Sequence, residues 1–132
     1  MIEEPSFLAL EDVLEIHAAQ LARYGGQDGI RDRGLLLSAM AQPEMSFAGE
    51  FLHGDLFAMA AAYVFHIAEN QPFIDGNECT AFQAADVFLM LNGFDLPASK
   101  RWQAAMIDIV KRRLDKAGLA LLFRKFANPT DE

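Results

Sequence analysis

The segment Gln71-Pro72-Phe73-Ile74-Asp75-Gly76-Asn77-Glu78-Cys79 gathers the side chains best suited to chemistry in this chain. Asp75-Gly76-Asn77 falls where a long helix-forming run begins. A helix N-terminus presents unpaired N–H groups and the positive end of the dipole, a natural seat for an anion. In that setting Asp75 is a candidate ligand for a divalent cation beside a phosphate. Gly76 lets the backbone approach a ligand or take a positive φ, and Asn77 can cap the helix or hydrogen-bond the anion. The same three residues also suit a plain turn, with Asn77 as the cap and Asp75 in solvent. Cys79 lies in the first helical turn, where a thiolate is favoured, but Asp75 and Glu78 oppose it, so an inert side chain is expected. His17, His53 and His66 are too scattered for a metal site. His17 and His66 lie on apolar helical stretches and read as structural histidines.

The elements around this segment read as helices. Leu10, Val13, Leu14, His17, Leu21 and Tyr24 share one face of a first helix, opposite Glu11, Asp12, Glu15, Gln20 and Arg23, and Gly25-Gly26 stops it. A short second helix after Gly29 turns Leu35, Leu36, Ala39 and Met40 inward and ends at Pro43. Residues 44–54 read as a loop, in which Phe47, Phe51 and Leu52 suit a partner groove or a folded-back lid. Asp55 caps a third helix through about Asn70 whose body, Leu56 to Phe65, is apolar on every side; such a helix belongs in the middle of a fold. A fourth, also mostly apolar, runs from Asn77 to Asn92 and ends at Gly93. Ser99 caps a fifth, with Trp102, Ala105, Met106, Ile109, Val110 and Leu114 as its buried stripe and Lys111, Arg112, Arg113 and Lys116 crowding its last turn. Leu119, Leu122, Phe123 and Phe126 form a short final helix after Gly118. No alternating run is long enough for a sheet. The expected fold is all-α, a compact bundle of about six helices with two central apolar helices joined by the chemically rich loop. Residues 1–126 form a single domain and 127–132 a disordered tail.

Composition narrows the function. With 132 residues the chain suits one domain. Its 11 Lys+Arg against 19 Asp+Glu give a net charge of −8, which excludes a general nucleic-acid binder. A single Cys excludes an internal disulfide framework. The N-terminus is acidic where a signal peptide is basic, and the longest apolar run is too short to span a membrane, so a soluble protein of the reducing cytoplasm is expected.

The stretch from Ala62 to Ala81, with Pro72-Phe73, Asp75-Gly76-Asn77 and Thr80-Ala81, resembles the signature of the Fic/Doc family, closest to its death-on-curing (Doc) toxin branch. That branch's motif reads H-P-F-x-D-G-N-K-R-T-A. Leu10-Glu11-Asp12-Val13-Leu14 with Ile16-His17, Tyr24-Gly25-Gly26, Gly29-Ile30-Arg31-Asp32 and Leu91-Asn92-Gly93 resemble further family segments, so the likeness covers roughly residues 6–96. It implies a small helical protein that moves part of a nucleoside triphosphate onto a protein hydroxyl. Most Fic proteins transfer the nucleotidyl group. The Doc branch transfers the terminal phosphate to translation elongation factor Tu and is silenced by an antitoxin. In the family the motif His is the base, the acidic residue binds Mg²⁺, and the Asn and basic pair hold the phosphates. Carried over, Phe73, Asp75, Gly76 and Asn77 match, with Asp75 at the metal position and Gly76, Asn77, Glu78 and Cys79 at the phosphate positions. Gln71 stands at the position of the catalytic His, and Glu78-Cys79 replace Lys-Arg.

These departures bear on the same step. A positioned general base contributes roughly 10²–10⁴ in rate, and a neutral amide cannot take its proton. One unit charge at about 6 Å from a phosphate is worth about 2–3 kcal/mol at an effective dielectric near 20. Exchanging Lys-Arg for Glu-Cys moves the local charge from +2 to −1. The expectation is a Doc-like scaffold with an impaired transferase site that acts by binding an antitoxin-like protein or a former target. The alternative is an active transferase with altered chemistry, using Mg²⁺ on Asp75 and ATP or another triphosphate, with Gln71 or Glu78 in a new role. A purely structural helical domain is a third reading.

Overall fold

The computed structural model describes residues 4–130. Six helices carry the fold: α1 (Leu10–Tyr24), α2 (Arg33–Ala41), α3 (Leu56–Asn70), α4 (Asn77–Leu91), α5 (Lys100–Val110) and α6 (Lys116–Phe126). The architecture is mostly α, as the apolar periodicity indicates. α3 runs through the centre, packed against α4, α6 and α2, while α1 covers α4. The small residues Ala60, Ala61 and Ala62 on α3 and Ala81, Ala84 and Ala85 on α4 are all buried and let the two backbones come close. Tyr63, Phe88, Met59 and Phe123 fill the space around them. Burial raises the Tyr63 phenol, whose oxygen accepts the Leu8 N–H at 3.0 Å.

Caps set most helix starts. The Asp55 carboxylate accepts the Ala58 N–H at 2.8 Å and also pairs with Arg124 of α6. Ser99 accepts the Arg101 N–H at 3.1 Å and so starts α5. Losing such a cap costs about 1 kcal/mol, and an exposed ion pair adds at most about as much. Asp55→Ala is therefore expected to lower stability by about 1–2 kcal/mol, read as a fall in the urea midpoint without a change in slope.

Several local expectations are corrected. Tyr24 is 65% exposed, because the α1 face that packs against α4 stops short of it. Val110 is likewise exposed. α6 begins at Lys116, not after Gly118, because Asp115 caps it through the Gly118 N–H at 2.8 Å. Lys116 thereby leaves the end of α5 for the first turn of α6. The loop at 44–54 contains a small hairpin, β1 (Ser46–Phe47) with β2 (Glu50–Phe51), and its Phe47 is 77% exposed while Phe51 packs on the core. Two more short strands, β3 (Phe94–Asp95) and β4 (Asn128–Pro129), pair antiparallel, and the Thr130 N–H donates to Gly93 O at 2.9 Å. Part of the segment read as a tail is thus joined to the end of α4. Residues 131 and 132 lie outside the described residues. No described helix is long and apolar enough to cross a membrane.

Candidate functional site

The segment 71–79 is the junction of α3 and α4. Gln71 ends α3 in the left-handed region, with φ 49° and ψ 56°, which swings the chain out of the helix. Gly76 caps α4 with φ 80°. Asn77, expected as a cap or an anion ligand, instead turns its buried side chain back on the loop. Its Oδ1 accepts the Phe73 N–H and its Nδ2 donates to Phe73 O, each at 2.9 Å. Phe73 is 1% exposed and stacks on His17, with ring centroids 3.8 Å apart and an 8° interplanar angle. His17 Nε2–H donates to Asp75 O at 2.8 Å, so the histidine is structural and holds the loop from α1.

A second support was not foreseen. Residues 26–32 run antiparallel beside 70–75. The Arg31 and Asp32 N–H groups donate to Pro72 O, and the Ile74 N–H donates to Gly29 O. The Arg31 guanidinium reaches Gln71 O at 2.7 Å and Asn70 O at 2.8 Å, satisfying carbonyls left open at the end of α3. The glycines explain the close approach: a Cβ on Gly29 would stand 2.8 Å from Ile74 Cδ1, and one on Gly26 would stand 3.2 Å from Asp75 Cβ. Asp32 caps α2 through the Leu35 N–H. The spacing Gly25-Gly26 and Gly29 was the one signal of this contact.

The chemistry-bearing side chains form a closed set. Gln71 Nε2 donates to Ala68 O at 2.7 Å and to Glu78 Oε2 at 2.8 Å, while its Oε1 accepts from Asn77 Nδ2 at 3.3 Å. Asp75 is exposed, and its Oδ2 accepts the Gln27 N–H at 2.8 Å. Cys79 is an exposed free thiol. A small cavity of about 160 Å³ lies beside Gln71 and Glu78, bordered by the exposed Arg112–Glu69 pair at 3.0 Å. From Glu78 and Cys79 a larger open groove of about 590 Å³ runs between α1, α4 and α5, lined by Tyr24, Phe82, Asp86, Trp102, Met106 and Ile107. Its charged lining is acidic only, and burial followed by Asp95 pushes the Asp86 carboxyl above its ordinary value.

A profile of the Fic/DOC family matches residues 7–89. The chain belongs to this family. Toxin Doc of Mycolicibacterium smegmatis (strain ATCC 700084 / mc(2)155) is 36% identical over 124 residues, covering 92% of this chain and 93% of that one. Protein kinase doc of Escherichia phage P1 is 34% identical over 90 residues, covering 66% of this chain and 71% of that one. On this Fic/DOC scaffold the fit to Mg²⁺ and a triphosphate is uneven. Asp75 offers one exposed carboxylate, which suits Mg²⁺ held mainly by phosphates and water. No group of three or more His, Cys, Asp or Glu that could hold a metal exists among the described residues. Segment 71–79 supplies no cationic side chain for phosphates, and Glu78 puts a carboxylate in the first turn of α4. The triphosphate does not fit this set of side chains in the family's manner.

His66 does not join the motif. Its Nε2 accepts from Lys116 Nζ at 3.0 Å. Burial, then Lys116, then His53 hold its pKa down to about 4, against the opposing pull of Glu69. The folded value lies below the unfolded one near 6.5, so His66 stabilises the fold fully above that pH. The contribution is lost as pH falls from about 6.5 to 4. For a half-exposed imidazole solvent screening leaves about 1 kcal/mol of it. The difference in urea stability between the natural protein and His66→Gln is expected to shrink across that window.

Proposed function

We propose that this protein is a Doc-like member of a toxin–antitoxin pair whose transferase site is impaired and which acts by binding a protein partner. The observation that carries this reading is the closure of Gln71. Both polar atoms of its amide are engaged within the chain, and Glu78 lies hydrogen-bonded against it. A closed amide takes no proton from a target hydroxyl. The family's target residue would meet an amide–carboxylate pair where the base stands, and a nucleotide would meet a negative charge where two cations stand.

The partner surface is the groove between α1, α4 and α5. It is open and apolar, with Ile107 exposed at its edge. Its occupant is a segment of an antitoxin-like protein or of a former target such as a translation elongation factor. Calorimetric titration with Mg²⁺-ATP tests the loss of nucleotide chemistry: no heat of binding is expected at millimolar nucleotide, and saturable binding there sinks the reading. Co-purification with a co-expressed antitoxin of the Doc type, abolished by Ile107→Glu, is the matching result for partner binding.

A second reading, a transferase with altered chemistry, rests on Glu78. Its carboxylate stands 2.8 Å from the Gln71 amide, beside the position of the family's base, and a carboxylate can accept a proton. Turnover that disappears in both Asp75→Ala and Glu78→Gln would favour it.

A further inference from the structure

Lys116 differs from the other lysines of the chain. Lys100, Lys111 and Lys125 are exposed, whereas Lys116 is half-buried at the start of α6. Its Nζ lies 3.0 Å from His66 Nε2 and 5.7 Å from the Phe65 ring centroid. No carboxylate pairs with it; the ion pairs among the described residues are Arg112–Glu69, Arg113–Asp108 and Arg124–Asp55. The groups that act on this cluster are His66 and Glu69 from α3 and His53 from the loop before it. Glu69, the one acid among them, is already engaged by Arg112. The His53 Nδ1 is buried without a hydrogen-bond partner. Two imidazoles and an aromatic ring stabilise an ammonium far less than a carboxylate does. Burial lowers the Lys116 pKa, and burial first, then Lys116, lower those of His66 and His53.

We propose that Lys116 Nζ is a nucleophilic amine, positioned by His66, and a site of covalent acylation by small activated acyl donors of the acyl-phosphate class. The lone pair of the neutral amine attacks the acyl carbon. The new N–C bond forms, the C–O bond to phosphate breaks, and phosphate leaves with its electron pair. The proton shed by nitrogen passes to water, while neutral His66 Nε2 accepts an N–H of the amine and orients its lone pair. The product is an uncharged amide, so acylation removes the charge that adds to burial in depressing both imidazoles. The proposal stands independently of whether the protein transfers phosphate or binds a partner.

Acetyl phosphate is the probe. The full chain is treated with a limiting amount at neutral pH, and the four lysines are quantified by peptide mass mapping. Lys116 is expected to acetylate about ten-fold faster than Lys100, Lys111 or Lys125, with its rate rising at lower pH than theirs. His66→Gln is expected to bring the Lys116 rate down to that of the exposed lysines, with Trp102 fluorescence reporting that the fold is kept. In the acetylated natural protein the His66 pKa, followed by NMR, is expected to rise towards its ordinary value. A Lys116 rate equal to or below the others overturns the proposal, and so does a rate unchanged by His66→Gln in a folded variant. If that variant fails to fold, the pH–rate profile of the natural protein decides: an inflection shared with Lys125 overturns it.

Discussion

The combined variant Gln71→His, Glu78→Lys, Cys79→Arg is expected to bind Mg²⁺-ATP at least 10²-fold more tightly than the natural protein. The change moves the first turn of α4 from −1 to +2. Three charge units at about 6 Å sum to several kcal/mol at an effective dielectric near 20, and even half of that after screening gives two orders of magnitude. Arg adds two parallel donors to a phosphate, which a thiol cannot. The scaffold tolerates each change. Cys79 is exposed, and Gln71 sits at φ 49°, a region in which His is among the better-tolerated residues. Removing the Glu78 carboxylate also frees the residue at 71 from its tightest side-chain partner. Calorimetry reads the affinity, and labelled ATP reads transfer to protein. A folded variant that binds no nucleotide would place the loss beyond these three side chains, and the reading that the impairment is local to the motif would fall.

Phe73→Ala is expected to destabilise the protein by about 3–5 kcal/mol, a large share of a small domain's stability. Phe73 is both a motif residue and a core residue. Its ring is 1% exposed and stacked on His17, and its backbone is bound through Asn77. Truncation leaves a cavity lined by His17, and the hydrogen bond from His17 to Asp75 loses the surface that orients it. Ile74→Ala, at an exposed neighbour whose side chain lies over Gly29, is the control and should cost less than about 1 kcal/mol. Urea unfolding of the two variants checks the difference. Equal costs would mean that the loop is held by its backbone alone.

The helical frame was legible because its signals are local. Asp55 and Ser99 mark helix starts, and the all-apolar body of α3 marks the centre. The motif was legible because its residues are consecutive. What was missed is long-range. Arg31 meets Asn70 and Gln71 some forty positions away, and Lys116 meets His66 fifty positions away; periodicity carries no trace of either pair. The start of α6 was misplaced because Gly118 reads as a break, whereas here it donates to its own cap. By type alone Asn77 suits a helix cap and an anion ligand equally. Only the geometry shows its amide spent on Phe73.

The antiparallel contact between residues 26–32 and 70–75 has a consequence for inheritance. Three of its bonds run main chain to main chain, the Arg31 side chain addresses two carbonyls, and the Gln27 N–H donates to the Asp75 carboxylate. None of them depends on which side chains occupy positions 71, 78 and 79. A lineage carrying this seam can exchange the reactive residues, within what the left-handed backbone at 71 accepts, while the loop keeps its shape. Activity can therefore be discarded, and regained, by point substitution without passing through an unfolded ancestor.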